Sequence, residues 1–164
     1  MNQTVCWVFY LKMSSVAKMR LINDLKRFDN RDEISNLYAM PKSDNLLVWE
    51  AVIFGPVETI WEGGCFKLTL EFNEEYPTKP PTVKFNTSIF HPNVYSDGKI
   101  CLDILSNQWS SIFDVHVVLE SIQSLLADPN PNSPANAEAA RLYVENKKEY
   151  KKRVLECVEN SWKQ

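Results

Sequence analysis

The chain runs to 164 residues, 45% of them hydrophobic, and carries a formal net charge of -3. That length supports one domain with a substantial core and is short for two. The small negative charge excludes a general attraction to phosphate backbones or anionic lipid, so direct nucleic-acid binding and membrane-surface binding are poor explanations of the chain.

Val5 to Leu11 is apolar, but seven residues cannot span a bilayer and no basic segment precedes them. The run reads as neither an anchor nor a standard signal peptide. A helical pattern opens at Met13-Ser14-Ser15, which makes residues 1 to 12 an extension, or Met13 the true start, and residues 13 to 164 the domain. Ser14 or Ser15 suits an N-cap, and Ala17, Leu21, Leu25 and Phe28 recur on one helical face. Lys18, Arg20, Lys26 and Arg27 occupy the remainder, either as a solvated face or as an electropositive docking surface.

Strand-like runs follow at Ile34 to Met40, Leu46 to Phe54, Cys65 to Phe72 and Thr82 to Phe85. The segments between them, Pro41 to Asn45, Gly55-Pro56, Gly63-Gly64 and Tyr76-Pro77, are turn chemistry, and connections this short predict an antiparallel meander. In the third run Phe66, Leu68, Leu70 and Phe72 alternate with Cys65, Lys67, Thr69 and Glu71, the period expected of a sheet with one buried face. Cys65 falls on the polar side of that alternation and is expected to meet solvent.

Thr87 to Phe113 shows no long periodic element, and a loop of that length inside a compact domain usually has a function. It holds His91-Pro92-Asn93 and, eight residues past the asparagine, Cys101 within Gly98-Lys99-Ile100-Cys101-Leu102-Asp103. A thiol nucleophile close to a side-chain amide that donates hydrogen bonds suits acyl transfer through a thioester. The competing reading of Cys101 is a small buried hydrophobe.

Asp114 then suits the N-cap of a helix with Val115, Val118, Leu119, Ile122, Leu125 and Leu126 as its apolar stripe. Pro129, Pro131 and Pro134 forbid its continuation. Two further helices are expected, the last rich in lysine with Tyr150, Val154, Cys157 and Ser161 on one side. Helix, sheet, loop, helices is an α+β order. The four cysteines, Cys6, Cys65, Cys101 and Cys157, lack the spacing of a disulfide scaffold, which points to a reducing compartment. With only His91 and His116 and no Cys-x-x-Cys pair, no zinc site is expected.

Several runs recur together in one known family: Tyr76-Pro77-Thr78-Lys79-Pro80-Pro81, His91-Pro92-Asn93, Asp97-Gly98-Lys99-Ile100-Cys101-Leu102-Asp103, Trp109-Ser110 and Asp128-Pro129-Asn130-Pro131. In that order and spacing, over about residues 14 to 162, the chain resembles the ubiquitin-conjugating enzymes. Val52 to Pro56, Phe90 to Tyr95 and Asn130 to Asn136 look closest to the branch known for DNA-damage tolerance and histone ubiquitination.

The resemblance implies the α+β ubiquitin-conjugating (UBC) fold: an N-terminal helix, a four-stranded antiparallel meander, an active-site loop, a central helix and two C-terminal helices. It implies that Cys101 takes ubiquitin from the activating enzyme as a thioester and passes it to a substrate lysine with a RING-type ligase. Asn93 either stabilises the oxyanion or shapes the loop, and the two roles are compatible. His91 and Pro92 are implied to be structural parts of the loop. Asp103, Ser133 and Tyr95 would form the platform that orients and deprotonates the lysine. Many relatives carry aspartate where this chain has Ser133, so some charge is missing; Ser133-Pro134 is either a serine that simply begins a turn before proline or a minimal proline-directed phosphorylation site whose phosphate would restore the charge.

Lys18, Arg20, Thr78, Trp109, Ser110 and Ser111 are implied to form the surface shared by the activating enzyme and ligases. Ser111 departs from the proline of many relatives, which softens that loop. The resemblance further implies a monomer without a cofactor, in cytoplasm and nucleus, and, since the sequence ends at Gln164 without an acidic tail, no tail-dependent targeting. A conjugating enzyme for another ubiquitin-like modifier, an inactive ubiquitin-binding module of the same fold and an unrelated thiol protein are the competing readings.

Overall fold

The computed structural model describes residues 15–29 and 36–163. The expectations for residues 1 to 12, Met13, Ser14, Ile34 and Ser35 lie outside the described residues. Ser15 Oγ accepts the Lys18 N–H at 3.3 Å and caps helix α1, Val16–Asp29. Strands β1 (Leu37–Lys42), β2 (Asn45–Phe54), β3 (Cys65–Glu71) and β4 (Thr82–Phe85) follow. A short 3-10 turn, Asp103–Leu105, precedes helices α2 (Val115–Ala127), α3 (Ala137–Glu145) and α4 (Lys147–Asn160).

The strands pair antiparallel in the order β1-β2-β3-β4, the expected meander. Its register explains the core. Ile53 faces Phe66, Ala51 faces Leu68, Trp49 faces Leu70, and Leu68 and Leu70 face Phe85 and Val83. Every member of those pairs is buried, whereas Lys67 and Glu71 on the opposite face are exposed. Val115, Val118, Leu119, Ile122 and Leu126 of α2 and Ala17 and Leu21 of α1 join the same cluster. Each such large aliphatic side chain contributes about 1.5–3 kcal/mol by leaving water.

Asp114 caps α2, accepting the Val117 N–H at 3.0 Å, and the helix stops at Ala127 ahead of the prolines. Asn136 and Asn146 cap α3 and α4 in the same way.

Two local expectations change. Cys65 is buried, because the end of α4 arrives over its end of β3: the Cys65 N–H donates to Ser161 Oγ at 2.9 Å, and Trp162 Nε1 donates to the Gly63 carbonyl at 2.7 Å. Pro41 belongs to β1 and not to the turn, opposite Trp49, with a register shift before Lys42. Proline is tolerated there because β1 is the edge of the sheet, where one row of N–H groups has no ladder partner to lose.

Candidate active site

The loop from Thr87 to Phe113 is not featureless. Gly98 N–H donates to Tyr95 O and Tyr95 N–H to Lys99 O, each at 2.9 Å, which closes a three-residue hairpin turn. Val94 bridges Ile100, Lys84 bridges Lys99, and Phe85 N–H donates to Gly98 O at 2.9 Å, so the hairpin is laid along the free edge of β4. Gly98 is required twice over. Its φ is +88°, and a Cβ there would sit 2.2 Å from the Phe85 carbonyl oxygen. Gly98→Ala is therefore expected to lower stability by about 3 kcal/mol, from backbone strain plus the clash, as read by denaturant unfolding. A loss under about 1 kcal/mol would show that the hairpin does not need this conformation.

The hairpin sets the next residue. Cys101 N–H donates to Asn93 O at 2.9 Å, which fixes the cysteine main chain beside the asparagine while its side chain stays partly exposed. Asn93 is 2% exposed, and its amide grips the main chain of Asn130 with both ends: Nδ2 donates to Asn130 O at 2.7 Å and Oδ1 accepts Asn130 N–H at 2.8 Å. Asn130 presents one acceptor and one donor, so the orientation of the amide is dictated. An amide has two N–H donors, and this pairing uses one of them.

Pro92 extends the clamp, its carbonyl accepting the N–H groups of Ala135 at 2.8 Å and Asn136 at 3.0 Å. His91 completes it. The Asn93 N–H donates to Nδ1 at 3.0 Å, so that nitrogen carries no proton, and Nε2–H donates to Leu125 O at 2.9 Å. Both ring nitrogens are thus engaged, leaving none to act as a base toward Cys101, and the ring packs tilted against Trp61 with centroids 5.9 Å apart.

Burial pushes the His91 pKa down to about 4, and the bond to Leu125 only partly opposes it. An unfolded chain takes this proton below pH 6.5, whereas the native state refuses it until about pH 4. Stability is therefore full above pH 6.5 and falls by about 3 kcal/mol on acidification to pH 4. Denaturant midpoints of wild type and His91→Gln across that window test this, the glutamine variant being expected to fall less steeply. Parallel curves would mean that His91 is not the group responsible.

The remaining residues sit on separately anchored segments. Tyr95 opens the hairpin turn and is 47% exposed. Asp103, exposed, starts the 3-10 turn two residues beyond Cys101. Ser133, also exposed, lies between Asn130 and Ala135, the two points where Asn93 and Pro92 hold the proline-rich segment. No hydrogen bond among the described residues joins these three side chains. Among the described residues no group of three or more His, Cys, Asp or Glu side chains is arranged to hold a metal ion, and no helix is long and apolar enough to cross a membrane.

The expected partner surface divides. Thr78 is exposed, Lys18 pairs loosely with Glu74 at 3.5 Å, and Ser110 and Ser111 form a turn closed by Phe113 N–H to Ser110 O at 3.0 Å. Trp109 is half-buried, its Nε1 donating to Pro77 O at 2.8 Å and its ring near Tyr76 and Phe113. Arg20 turns inward: Nε donates to Asp24 at 2.7 Å, Nη1 to Ser111 O at 2.6 Å and Nη2 to Phe113 O at 2.8 Å. The spacing of charges on α1 did not distinguish this arginine from Lys18. Gly98 and Asn130 stand within the quoted motifs but were given no role there, although Asp97-Gly98 is a strong short-range hairpin signal.

The geometry is that of a partly exposed thiol framed by main-chain bonds, and known proteins are similar to the chain in sequence. The family model described as "Ubiquitin-conjugating enzyme" matches residues 20–158. Ubiquitin-conjugating enzyme E2 3 of Arabidopsis thaliana is 58% identical over 150 residues, 92% of this chain and 99% of the relative. Ubiquitin-conjugating enzyme E2 1 of Caenorhabditis elegans is 58% identical over 92% of this chain and 78% of its own. Ubiquitin-conjugating enzyme E2 2 of Mycosarcoma maydis is 59% identical over 92% and 80%. Family model and relatives agree over most of the length, and the chain belongs to the ubiquitin-conjugating enzymes.

Proposed function

We propose that Cys101 is the residue that carries ubiquitin. Its thiolate attacks the carbonyl of the thioester joining the ubiquitin C-terminus to the activating enzyme; the new C–S bond forms at Cys101 and the activating enzyme's cysteine leaves as a thiolate. A neutral substrate amine then attacks the same carbonyl. The tetrahedral oxyanion collapses, the Cys101 sulfur leaves as a thiolate, and the amine's extra proton passes to solvent or a carboxylate. Free lysine has a pKa of about 10.4, so the platform of Asp103, Tyr95 and Ser133 acts by orienting the amine and favouring its deprotonation. The Asn93 N–H not used on Asn130 is the donor for the oxyanion. The observation that carries this reading is Cys101 itself, a partly exposed thiol whose main chain is bonded to Asn93.

Lys18, Thr78, Trp109, Ser110 and Ser111 belong to the face that receives the activating enzyme and a RING-type ligase. Motif likeness over Val52 to Pro56, Phe90 to Tyr95 and Asn130 to Asn136 supports a role in DNA-damage tolerance and histone ubiquitination, in nucleus and cytoplasm. Incubation with ubiquitin, activating enzyme and ATP, followed by intact mass with and without reductant, tests the core of the reading. A reductant-labile adduct of one ubiquitin is expected. A folded protein that acquires none, beside a working conjugating enzyme, would shift the assignment to another modifier or to an inactive module.

A further inference from the structure

Arg20 sits in the first turns of α1 with its side chain only 18% exposed, and all three guanidinium nitrogens donate within the protein. One contact is to the Asp24 carboxylate, fully buried and also bonded by the Tyr76 hydroxyl at 2.5 Å. The guanidinium carbon lies 5.6 Å from the centre of the Tyr76 ring. Asp24 and Tyr76 thus seat the base of the fork. Its tips reach 91 and 93 residues along the chain to the carbonyls of Ser111 and Phe113.

Those carbonyls belong to one turn. Phe113 N–H donates to Ser110 O, which makes Ser111 and Ile112 the central residues, and Ile112 is 78% exposed. Ser111 holds the first central position, where proline stiffens a turn by fixing φ. Serine does not, so the turn needs another restraint. Two charge-assisted bonds from a planar fork supply it, since they hold the carbonyls on either side of Ile112 at a set separation.

We propose that Arg20 is a positioning residue for partner recognition. Its fork takes over the stiffening that proline would give at position 111 and presents the exposed Ile112 in one preset arrangement. The partner this serves is a RING-type ligase with an apolar groove for Ile112, an inference that rests on the functional reading above. Preorganised contacts bind more tightly because no ordering cost falls on the encounter. Arg20 therefore acts on ligase affinity through the turn, and not as a surface charge.

The test compares Arg20→Lys, Arg20→Gln and Arg20→Lys/Ser111→Pro with wild type. Each is first charged with ubiquitin to completion and then discharged to free lysine, alone and with the RING domain, from a panel, that most accelerates wild type. Lysine keeps the charge but presents a compact ammonium that cannot replace a fork with fixed geometry. Arg20→Lys is expected to behave like Arg20→Gln: KM for the RING domain rises about tenfold, while RING-free discharge stays within about twofold of wild type. Adding Ser111→Pro is expected to bring KM back to within about threefold, a coupling between the two sites that a merely structural arginine would not show.

Arg20→Lys matching wild type while Arg20→Gln is impaired would make Arg20 a surface charge and overturn the proposal. Failure of Ser111→Pro to restore a folded Arg20→Lys would overturn it too. If Arg20→Lys does not fold, Ser111→Gly carries the test with the clamp intact: KM rising less than about threefold supports the clamp, and a tenfold rise removes it. A wild type that never charges would sink the functional reading instead, which is a distinct result.

Discussion

Cys101→Ala is expected to acquire no ubiquitin at all, and Cys101→Ser to acquire it slowly and then hold it. A serine hydroxyl is scarcely ionised near neutrality, so it attacks the activating enzyme's thioester poorly, and the oxyester it forms resists thiol reductant. An oxygen ester is also a weaker acyl donor to amines than a thioester, so transfer to lysine falls to background. Intact mass before and after reductant separates the three proteins in one experiment. The other described cysteines provide the control. Cys65 is buried, out of reach of a protein-sized acyl donor, and burial pushes the Cys157 thiol up, so replacing either with alanine should leave loading within about twofold. A reductant-labile adduct that persists in Cys101→Ala would move the acceptor to another residue.

Asn93→Ala is expected to slow discharge to lysine by about 10²–10³-fold, the usual cost of one missing oxyanion donor. It also removes both bonds to Asn130, and since Asn130 is exposed, water replaces part of what is lost, leaving a cost of about 1 kcal/mol. The two consequences separate with Asn93→Asp. An aspartate still accepts the Asn130 N–H but has no donor, for Asn130 O or for an oxyanion. If the donor matters, Asn93→Asp discharges as slowly as Asn93→Ala. If only the anchoring of residues 128–136 matters, it recovers part of the rate, and hydrogen exchange at the Asn130 amide tracks that recovery. Discharge of Asn93→Ala within about tenfold of wild type would remove the oxyanion role.

What was legible in the sequence was the periodic part. The alternation Phe66, Leu68 and Leu70 set the buried face of β3 and continued to Phe72 just past its end, the stripe from Val115 to Leu126 set α2, and Asp114 and three prolines bracketed that helix because capping and the loss of an N–H are local effects. The site's framework was not periodic. His91, Pro92, Asn93 and Cys101 stood out as residues, but the bonds that place them run to the main chain of Leu125, Asn130, Ala135 and Asn136, and any non-proline residue offers the same N–H and C=O. Cys65 was misjudged for a related reason: its cover comes from Ser161, 96 residues on. Arg20 read as surface because a 3.6-residue repeat reports which way a side chain leaves the helix and not where a long, bendable one ends.

Because main-chain atoms carry most of the framework, Tyr95, Asp103 and Ser133 are displayed by it without supporting it. Tyr95 is held through its own N–H and C=O, and Ser133 by the anchoring of Asn130 and Ala135 on either side. Substitutions at these three positions can therefore accumulate across generations while the thiol stays in place. On the proposed reading of these three as the lysine platform and of Cys101 as the acyl carrier, such a scaffold lets preference for one target lysine over another drift separately from charging, so that copies of one gene can diverge in what they modify before any of them loses the ability to be charged.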